Sequence, residues 1–284
     1  MPIKNFNQEI IGVFQVLNKF DEYFTPDDED LLIAIASSAG ISLENAQLFE
    51  RQRKLLEEQK VVLDSFIETL ATSIDARDKI TSGHSSRVKM YSSLIAQEFG
   101  MEKNDLYILE KAAALHDIGK IGIRDSVLQK EGKLTPEEYK HIQQHVEITH
   151  HILEKIHMSE DFKQITEIAC SHHEKFDGTG YYRHLKGEEI PFGGRILAVS
   201  DVFDAITSKR HYRDKMPIEK VIDIIKNGAG SHFDPLVVDK FLDIKLSKIV
   251  GVFITENHMV IDKEDLVTLE KYNLLDLYLS LIHI

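Results

Sequence analysis

Seven histidine and aspartate side chains in the middle of the 284-residue chain have the chemistry needed to hold metal ions. Each lies on a predicted helix or at its end, and facing helices of a bundle commonly carry dinuclear centres. Together they could give four ligands to each of two metals if one carboxylate bridged both, and Asp117 is the natural bridge. The seven residues are His84, His116, Asp117, His145, His172, His173 and Asp201.

His116 lies at a position that favours a metal ligand. Leu109 and Ala112 precede it at helical spacing, so its imidazole lies on the predicted buried face. A lone buried imidazole is usually satisfied by a backbone carbonyl, whereas several together can hold a metal. His145 and His172 also adjoin apolar stripes, and three inward-facing histidines are difficult to satisfy with carbonyls alone. Other histidines show no such pattern and are expected to be solvent-exposed: His141, His150, His151, His157 and His258.

The composition argues against several classes of function. A formal net charge of −13 argues against binding nucleic acid polymers or anionic membranes, because both need a basic face. The longest apolar run, residues 31–43, is too short and too rich in serine and glycine to predict a membrane span. The first residues do not resemble a secretory signal, and Cys170 is the single cysteine. These features predict a cytoplasmic protein.

Residues 1–50 are predicted to form a small α/β segment. Residues 8–18 have the composition of a strand, and a helix is predicted to follow Thr25, with Pro26 in its first turn and Asp28 completing a variant of the capping box. This segment resembles the closing strand and last helix of a GAF sensor domain, most of which would then be missing. A small α/β cap is the alternative.

Residues 51–75 are predicted to form a signalling helix that continues into the next domain. Its apolar residues recur at three- and four-residue steps between positions 55 and 74. Such a helix could pair with its copy in a homodimer, or it could pack on its own domain. The apolar residues are Leu63, Phe66, Ile67, Leu70 and Ile74.

The main domain, residues 64–242, is predicted to be a helical bundle because helical stripes recur without a convincing pair of strands. A capping box at Thr135, Pro136 and Glu138 predicts the start of one helix. Residues 243–284 are a C-terminal extension whose structure is harder to predict. Within it, "IVGVFIT" and "MVI" could form a hairpin and "LVTLEKY" a helix, whereas "LSLIHI" fits no pattern and suggests non-native sequence.

Four blocks in the main domain resemble the HD-GYP family of cyclic dinucleotide phosphodiesterases. They are "HDIGKIGI", "HHEKFDGTGYY", "IPFGGRILAVSDVFDAITSKRHYR" and "GSHFDPLVVDKFL", in the family's order. The resemblance implies an HD-type helical bundle that hydrolyses a cyclic dinucleotide, with cyclic di-GMP as the first candidate, either to the linear dinucleotide pGpG or through it to GMP. Alternatives are a catalytically weak receptor and a phosphohydrolase of another nucleotide, such as a mixed cyclic dinucleotide.

The resemblance also implies roles for individual residues. One metal would be held by His84, His116, Asp117 and Asp201, and the other by Asp117, His145, His172 and His173. Ile80 stands where some members have a third-metal glutamate, so two ions are expected, with iron or manganese favoured over zinc. Asp117 and Lys120 would take part in catalysis, Lys120 by neutralising charge on a phosphoryl oxygen. Substrate would be bound by Lys120, Tyr181, Arg210 and Arg213.

Two features near these residues add expectations. Tyr182 replaces the proline of the family's GYP signature, so the loop loses the ring that fixes φ and regains an N–H. Asp204 is a conceivable proton donor, but a carboxylate on the helix surface is the preferred interpretation.

Overall fold

A computed structural model describes residues 1–20, 23–78, 83–156, 160–208, 216–257 and 262–282. The described chain is mainly α-helical with one small two-stranded sheet, which confirms the predicted fold class. It divides into two compact units, Met1–Ser65 and Phe66–Ile284.

The first unit combines a hairpin with the beginning of a long helix. Strand β1 (Pro2–Lys4) pairs antiparallel with β2 (Ile10–Val13). The strand predicted within residues 8–18 is therefore present but shorter, and its three-residue partner was too short to show alternation. The hairpin lies close against the helix, because a Cβ on Gly40 would come within 2.3 Å of the Lys4 carbonyl oxygen.

Helix α1 (Pro26–Arg77) is 52 residues long and begins as predicted. The Thr25 N–H donates to Asp28 Oδ2 at 2.8 Å, and the Asp28 N–H donates to Thr25 Oγ1 at 3.4 Å. The helix predicted to follow Thr25 and the helix predicted over residues 51–75 are one helix, because no glycine or proline follows Gly40 before the helix ends. In its last part Ile67 and Ile74 are buried within the second unit, whereas Phe66 is 59% exposed.

By length and composition alone, α1 also passes the test for a helix that could cross a membrane. The sequence-based expectation that no such segment exists is therefore not supported on these two criteria.

The second unit is built from helices around one core. After α1 the α-helices are α2 (His84–Glu98), α3 (Lys103–Leu115), α4 (Asp125–Leu128), α5 (Pro136–Leu153), α6 (Glu160–Ala169), α7 (Phe192–Thr207), α8 (Ile218–Asn227), α9 (Pro235–Leu242), α10 (Leu246–Asn257), α11 (Lys263–Leu269) and α12 (Leu274–Ile282). Short 3₁₀ turns cover Ile118–Gly122 and Gly187–Glu189. Helix α2 packs against α3, α7, α9 and α10, while α3 packs on α6 and α5 on the first 3₁₀ turn.

The core is fixed by aromatic side chains at the meeting point of α2, α7 and α9. The rings of Tyr91 and Phe203 meet edge to face at 4.9 Å, and Phe203 meets Phe241 at 5.0 Å. Such pairs contribute roughly 0.5–1.5 kcal/mol each beyond the burial of their area. They hold α2 and α7 together, and these two helices carry His84 and Asp201.

The C-terminal extension differs from the prediction. Residues of "IVGVFIT" lie in helix α10 rather than in a hairpin strand, and "MVI" lies outside the described residues. "LVTLEKY" includes most of α11, as predicted. "LSLI" forms the end of α12, and the residue before it, Tyr278, donates its hydroxyl to Asp223 at 2.6 Å; His283 and Ile284 lie outside the described residues.

Candidate metal centre

Five segments of the helical unit deliver the seven predicted ligands. His84 is the first residue of α2, and His116 follows the last residue of α3. Asp117 leads into the 3₁₀ turn, and His145 lies on α5, whose capping box at Thr135 and Glu138 is present as predicted. The remaining donors stand just after α6 (His172 and His173) and on α7 (Asp201).

Asp117 lies between two groups of histidines. Its Oδ2 atom is 3.3 Å from Nε2 of His116 and 3.7 Å from Nε2 of His84, while its Oδ1 atom is 3.4 Å from Nε2 of His145. Asp201 completes the first group, with Oδ1 at 3.2 Å from His84 Nε2. The two oxygens of one carboxylate therefore face two different sets of nitrogens, as a bridging ligand requires.

The donor atoms form three overlapping triads, in each of which the atoms lie within 4.8 Å of one another. The triads are His84, His116 and Asp201; His116, Asp117 and His172; and His145, His172 and His173. The structure thus brings together all seven residues singled out from the sequence. A mixed imidazole and carboxylate set without thiolate suits iron, manganese and zinc.

Three of the histidines are oriented by the carbonyl group three residues before them. Nδ1 of His116, His145 and His172 lies 2.7, 2.7 and 2.6 Å from the oxygens of Ala113, Ile142 and Ala169. With Nδ1 protonated, each Nε2 carries a lone pair directed at the cluster, where the Nε2 atoms of His145 and His172 lie 3.3 Å apart. Nε2 of His116 is buried and has no hydrogen-bond partner among the described residues, which is the observation that best fits a metal. The carbonyl and metal alternatives are therefore compatible, because each uses a different ring nitrogen.

The segment that carries His116 and Asp117 lies directly on α5. A Cβ on Gly119 would come within 1.9 Å of the His145 carbonyl oxygen, so only glycine permits this approach. Thr149 Oγ1 donates to the His116 carbonyl at 3.1 Å and accepts the Gly119 N–H at 3.0 Å. This contact fixes the distance between the His116 and His145 segments.

The charges of the cluster keep the carboxylates ionised. Burial opposes ionisation of Asp117, but Lys120 and His116 hold its pKa well below the usual range. Lys120 Nζ lies 2.7 Å from Asp117 and 3.3 Å from Asp78, and these charges raise the lysine pKa against the effect of burial. In the other histidine group, burial and the charge of His145 lower the pKa of His173 to about 3. Its imidazole is therefore neutral at neutral pH, as a metal ligand must be.

Asp204 is not on the helix surface, which corrects the interpretation from sequence. It is 1% exposed, and its carboxylate oxygens lie 2.8 Å from His84 Nδ1 and 2.6 Å from Arg87 Nε. Its spacing of three residues from Asp201 would have predicted this position, since both then share one face of α7. Burial lowers the pKa of His84, but the hydrogen bonds that its ring donates to Asp201 and Asp204 outweigh burial and raise the pKa to about 10.

Comparison with known proteins gives the family. The sequence model of the HD domain matches residues 68–237, which is more than half of the chain and includes every one of the seven donors. The chain belongs to the HD domain family.

Several curated relatives of this HD domain protein are phosphodiesterases. The 3'3'-cGAMP-specific phosphodiesterase 2 of Vibrio cholerae is 35% identical over 84% of this chain and 44% of the relative. The cyclic di-GMP phosphodiesterase of Thermotoga maritima is 42% identical over 63% of this chain and 48% of the relative. The chain spans less than half the length of these two relatives. Among solved structures, a cyclic GMP-AMP-specific phosphodiesterase of V. cholerae matches 72% of this chain and 52% of its own, with a TM-score of 0.50 and 16% identity, which shows a shared fold.

The loop after His173 in this HD domain is held by Glu174. The carboxylate of Glu174, which is 2% exposed, accepts the N–H groups of Arg183 at 2.7 Å and Leu185 at 3.2 Å. This places the Tyr181 ring 4.7 Å from the His173 ring. Tyr182 has a φ of 95°, which proline cannot adopt because its ring holds φ near −65°. The replacement of proline therefore changes the backbone path and not only its freedom.

A cleft of about 490 Å³ opens over the cluster, within the usual range of roughly 300–1,000 Å³ for ligand sites. Lys120 and Tyr181, which the family resemblance assigns to substrate binding, line it, and that role stays a prediction. Sequence reasoning missed three further basic groups on its wall, Lys130, Lys175 and His232. The last two are adjacent because Phe176 N–H donates to the His232 carbonyl at 3.1 Å.

Some predictions concern residues that the structure does not describe. Arg210, Arg213 and Ile80 lie outside the described residues, as do His157 and His258. Of the histidines expected at the surface, His151 is exposed, whereas His141 and His150 are half-buried. The His150 ring lies 5.8 Å from the Tyr182 ring, so this histidine supports the loop described above.

Proposed function

We propose that this HD domain hydrolyses a cyclic dinucleotide to linear pGpG and then to GMP, with cyclic di-GMP as the first candidate substrate. The reaction would serve bacterial second-messenger signalling. The observation that carries the proposal is the position of Asp117 between two histidine groups at the floor of a ligand-sized cleft. The names of the relatives support the same chemistry.

Two divalent metal ions would be held by the seven donors. His84, His116, Asp117 and Asp201 would hold one, and Asp117, His145, His172 and His173 the other, with iron or manganese favoured over zinc. When bound, such a pair supplies a hydroxide nucleophile near neutral pH and neutralises charge on the phosphoryl oxygens.

The chain's own residues bind and orient the substrate. Lys120 remains protonated, and its ammonium group borders the cleft, where it would stabilise charge developing on the attacked phosphoryl group. Burial raises the pKa of Tyr181, so its hydroxyl remains protonated and would donate a hydrogen bond to substrate. Arg210 and Arg213 would bind phosphate oxygens, because an arginine guanidinium can form two parallel hydrogen bonds with one phosphate.

Lys175 and His232 extend this substrate site. A cyclic dinucleotide has a second phosphate, which needs a cation away from the metals. Lys175 borders the cleft and forms no ion pair with any described residue. Burial and then the charge of Lys175 lower the pKa of His232, so the neighbouring ring is neutral and can hydrogen-bond to the ligand. We therefore place the second phosphate near Lys175.

The hydrolysis proposal is tested with protein loaded with manganese or with iron under anaerobic conditions. We expect cyclic di-GMP to be converted to pGpG and GMP, detected by liquid chromatography and mass spectrometry. His116→Ala should be inactive, and His151→Asn, which removes an exposed histidine outside the cluster, should behave like the unaltered protein. Absence of linear product with manganese, iron and zinc alike would contradict the proposal.

The Lys175 contact is tested by the substitution Lys175→Met. We expect KM for cyclic di-GMP to rise roughly tenfold with little change in kcat, the result of losing uniform binding. Hydrolysis of bis(p-nitrophenyl) phosphate, which has one phosphate, should be unchanged. An unaltered KM for cyclic di-GMP would refute this contact while leaving the hydrolysis proposal intact.

A mixed cyclic dinucleotide is the second candidate substrate. It is favoured by the 35% identity to a 3'3'-cGAMP-specific enzyme over 84% of this chain. A panel of cyclic dinucleotides compared by kcat/KM decides between the two, because the preferred substrate has the larger ratio. Tight binding by calorimetry without turnover of either would instead favour a receptor.

We also propose that residues 1–50 are the end of a GAF-like sensor domain and that the protein is cytoplasmic. The hairpin followed by a capped helix supports the first proposal, and the single cysteine, Cys170, supports the second. Fractionation of cells expressing the full-length native protein tests the location.

The partner proposed for α1 is a second copy of the chain. Ile41, Leu48, Leu55 and Val62 are each more than half exposed and stand seven residues apart, which is the repeat of a coiled-coil seam. The part predicted from sequence to pair, residues 55–74, overlaps this seam, although Ile67 and Ile74 pack within their own unit. Sedimentation should show a dimer that dissociates when Leu48 and Leu55 are both replaced by lysine. Leu236→Lys, at an exposed leucine elsewhere, is the control.

A further inference from the structure

The last turn of α1 makes contacts that have no role in the catalysis proposed above. Arg77 is the final residue of this helix, and its guanidinium reaches the 3₁₀ turn that follows His116 and Asp117. The segment it reaches includes Lys120, whose side chain borders the cleft.

Arg77 binds four acceptors on this segment. Nη1 donates to the carbonyl oxygens of Lys120 at 3.0 Å and Ile121 at 2.6 Å, and Nη2 donates to the Ile123 carbonyl at 2.7 Å. Nε donates to Asp125 Oδ1 at 3.0 Å. A guanidinium has five N–H donors in a rigid plane, so one side chain can fix several carbonyl groups at once.

Two of the three carbonyls that Arg77 binds, those of Lys120 and Ile121, belong to the five-residue 3₁₀ turn, and Ile123 directly follows it. The Lys120 carbonyl also accepts the Ile123 N–H at 3.0 Å, whereas the last carbonyl oxygens of a 3₁₀ turn have no partner within it and need another donor or water. Arg77 supplies that donor from another helix. The turn is therefore held from two sides, by Thr149 on α5 and by Arg77 on α1.

Asp75, in the same helical turn as Arg77, contacts the segment that carries His84. Asp75 accepts the Ser85 N–H at 3.0 Å and the Ser85 hydroxyl at 2.9 Å, and Ser85 follows His84. One turn of α1 therefore contacts both the start of α2 and the segment after Asp117. A shift of this helical turn would move both.

We propose that Arg77 is a positioning residue for the catalytic centre, which sets the place of Lys120 and Asp117 through the carbonyls of the 3₁₀ turn. The catalytic part of this inference rests on the proposed phosphodiesterase function. The position of the turn itself does not, so it can be measured without any activity.

Arg77→Gln removes the planar donor set, and Asp125→Asn is its matched control. Asp125→Asn weakens only an ion pair whose carboxylate side chain is 65% exposed, and it leaves the three carbonyl contacts in place. Arg53→Gln is a second control, because it removes an arginine of the same helix that binds only exposed glutamates among the described residues.

The first readout is amide hydrogen exchange of metal-free protein over residues 116–125. We expect Arg77→Gln to exchange faster in this segment alone, with α7 and α9 unchanged, and both controls to match the unaltered protein. If Arg77 only stabilises the fold, exchange will rise throughout the helical unit and Tm will fall. That outcome, or unchanged exchange in the segment, overturns the proposal.

The second readout is the split between kcat and KM in metal-loaded protein. We expect Arg77→Gln to lower kcat by roughly 10- to 100-fold, because a displacement of about 1 Å at a catalytic group can cost that much. KM should change by less than about threefold, since binding in the ground state is largely retained. An unchanged kcat in the folded variant would refute the catalytic role. If the unaltered protein has no activity with any cyclic dinucleotide, the proposed function fails, and the exchange experiment still decides whether Arg77 fixes the turn.

Arg77→Lys covers the case in which Arg77→Gln does not fold. Lysine keeps the charge that pairs with Asp125 but cannot reach three carbonyls in one plane. We expect it to fold with an unaltered Tm and to show the same local increase in exchange. Exchange equal to that of the unaltered protein would show that charge alone is sufficient and would overturn the proposal.

Discussion

His84 and Asp204 form a buried pair in which Nδ1 of the imidazole lies 2.8 Å from a carboxylate oxygen. This bond leaves Nε2 of His84 directed toward Asp117 and Asp201. A carboxylate behind a ligating histidine fixes the ring and raises its basicity, and losing such a partner typically costs about 10- to 100-fold in metal affinity.

We therefore expect Asp204→Asn to weaken one metal site and not the other. Titration of metal-free protein with manganese should show one site with its affinity lowered by roughly tenfold, while the site formed with His145 is unchanged. Asp243→Asn is the control, because Asp243 is an exposed carboxylate on the same unit. Equal weakening of both sites would mean that Asp204 acts through the general fold.

Removal of Asp117 should have a larger effect, because its two oxygens face both histidine groups. We expect Asp117→Ala to retain at most one weakly held metal per chain and to lose hydrolysis, as the bridge between the sites is missing. Elemental analysis of protein purified without added metal gives the count. Two metals in Asp117→Ala would exclude a bridging role for this carboxylate.

The sequence singled out the residues that the structure brings together, because buried histidines on helical stripes leave a clear pattern, and their role as metal donors stays a prediction. Leu109, Ala112 and His116 are all buried, as the spacing indicated. The partners of these donors were much harder to predict. The spacing of three residues from Asp201 places Asp204 on the same face of α7, but it does not reveal that the partner there is His84, 120 residues earlier. Arg77 was missed for the same reason, as its acceptors are carbonyl groups that have no signature in the sequence.

The fold was predicted best where a local rule decides the structure. The capping boxes at Thr25 and Thr135 were correct because both bonds join residues three apart. The hairpin predicted around "IVGVFIT" was wrong since a β-branched, apolar run also suits a buried helix. The burial of Ile249 and Val252 in the core of the helical unit decides between them, and that information is not local.

Metal binding should release protons, because His84 must lose a proton to become a ligand. Its pKa is raised from 6.5 to about 10 despite burial, so the metal-free protein carries His84 protonated at neutral pH. A metal must displace that proton, and affinity should therefore rise with pH up to about 10. Calorimetry in buffers of different ionisation enthalpy should show net proton release. No release would contradict a ligand role for His84.

The same shift predicts how stability of the metal-free protein depends on pH. A group whose pKa is raised on folding contributes stability that is fully present below its ordinary pKa and is lost as pH rises through its folded value. For His84 this loss falls between 6.5 and about 10. The free energy of unfolding measured with urea should therefore decline over that window. In His84→Asn the decline should be smaller, and an equal decline would assign it to other groups.

Replacing Tyr182 with proline tests the loop that borders the cleft. Its φ of 95° is incompatible with proline, and restoring the proline of the GYP signature should therefore disturb this loop and lower activity. Tyr182→Gly is the matched control, because glycine adopts positive φ without strain and should retain the loop while losing the ring contacts with His150 and Arg183. The measurement is kcat/KM for cyclic di-GMP, together with hydrogen exchange over residues 174–185. A gain of activity in Tyr182→Pro would mean that the active loop follows another backbone path, in which Glu174 no longer holds the N–H groups of Arg183 and Leu185.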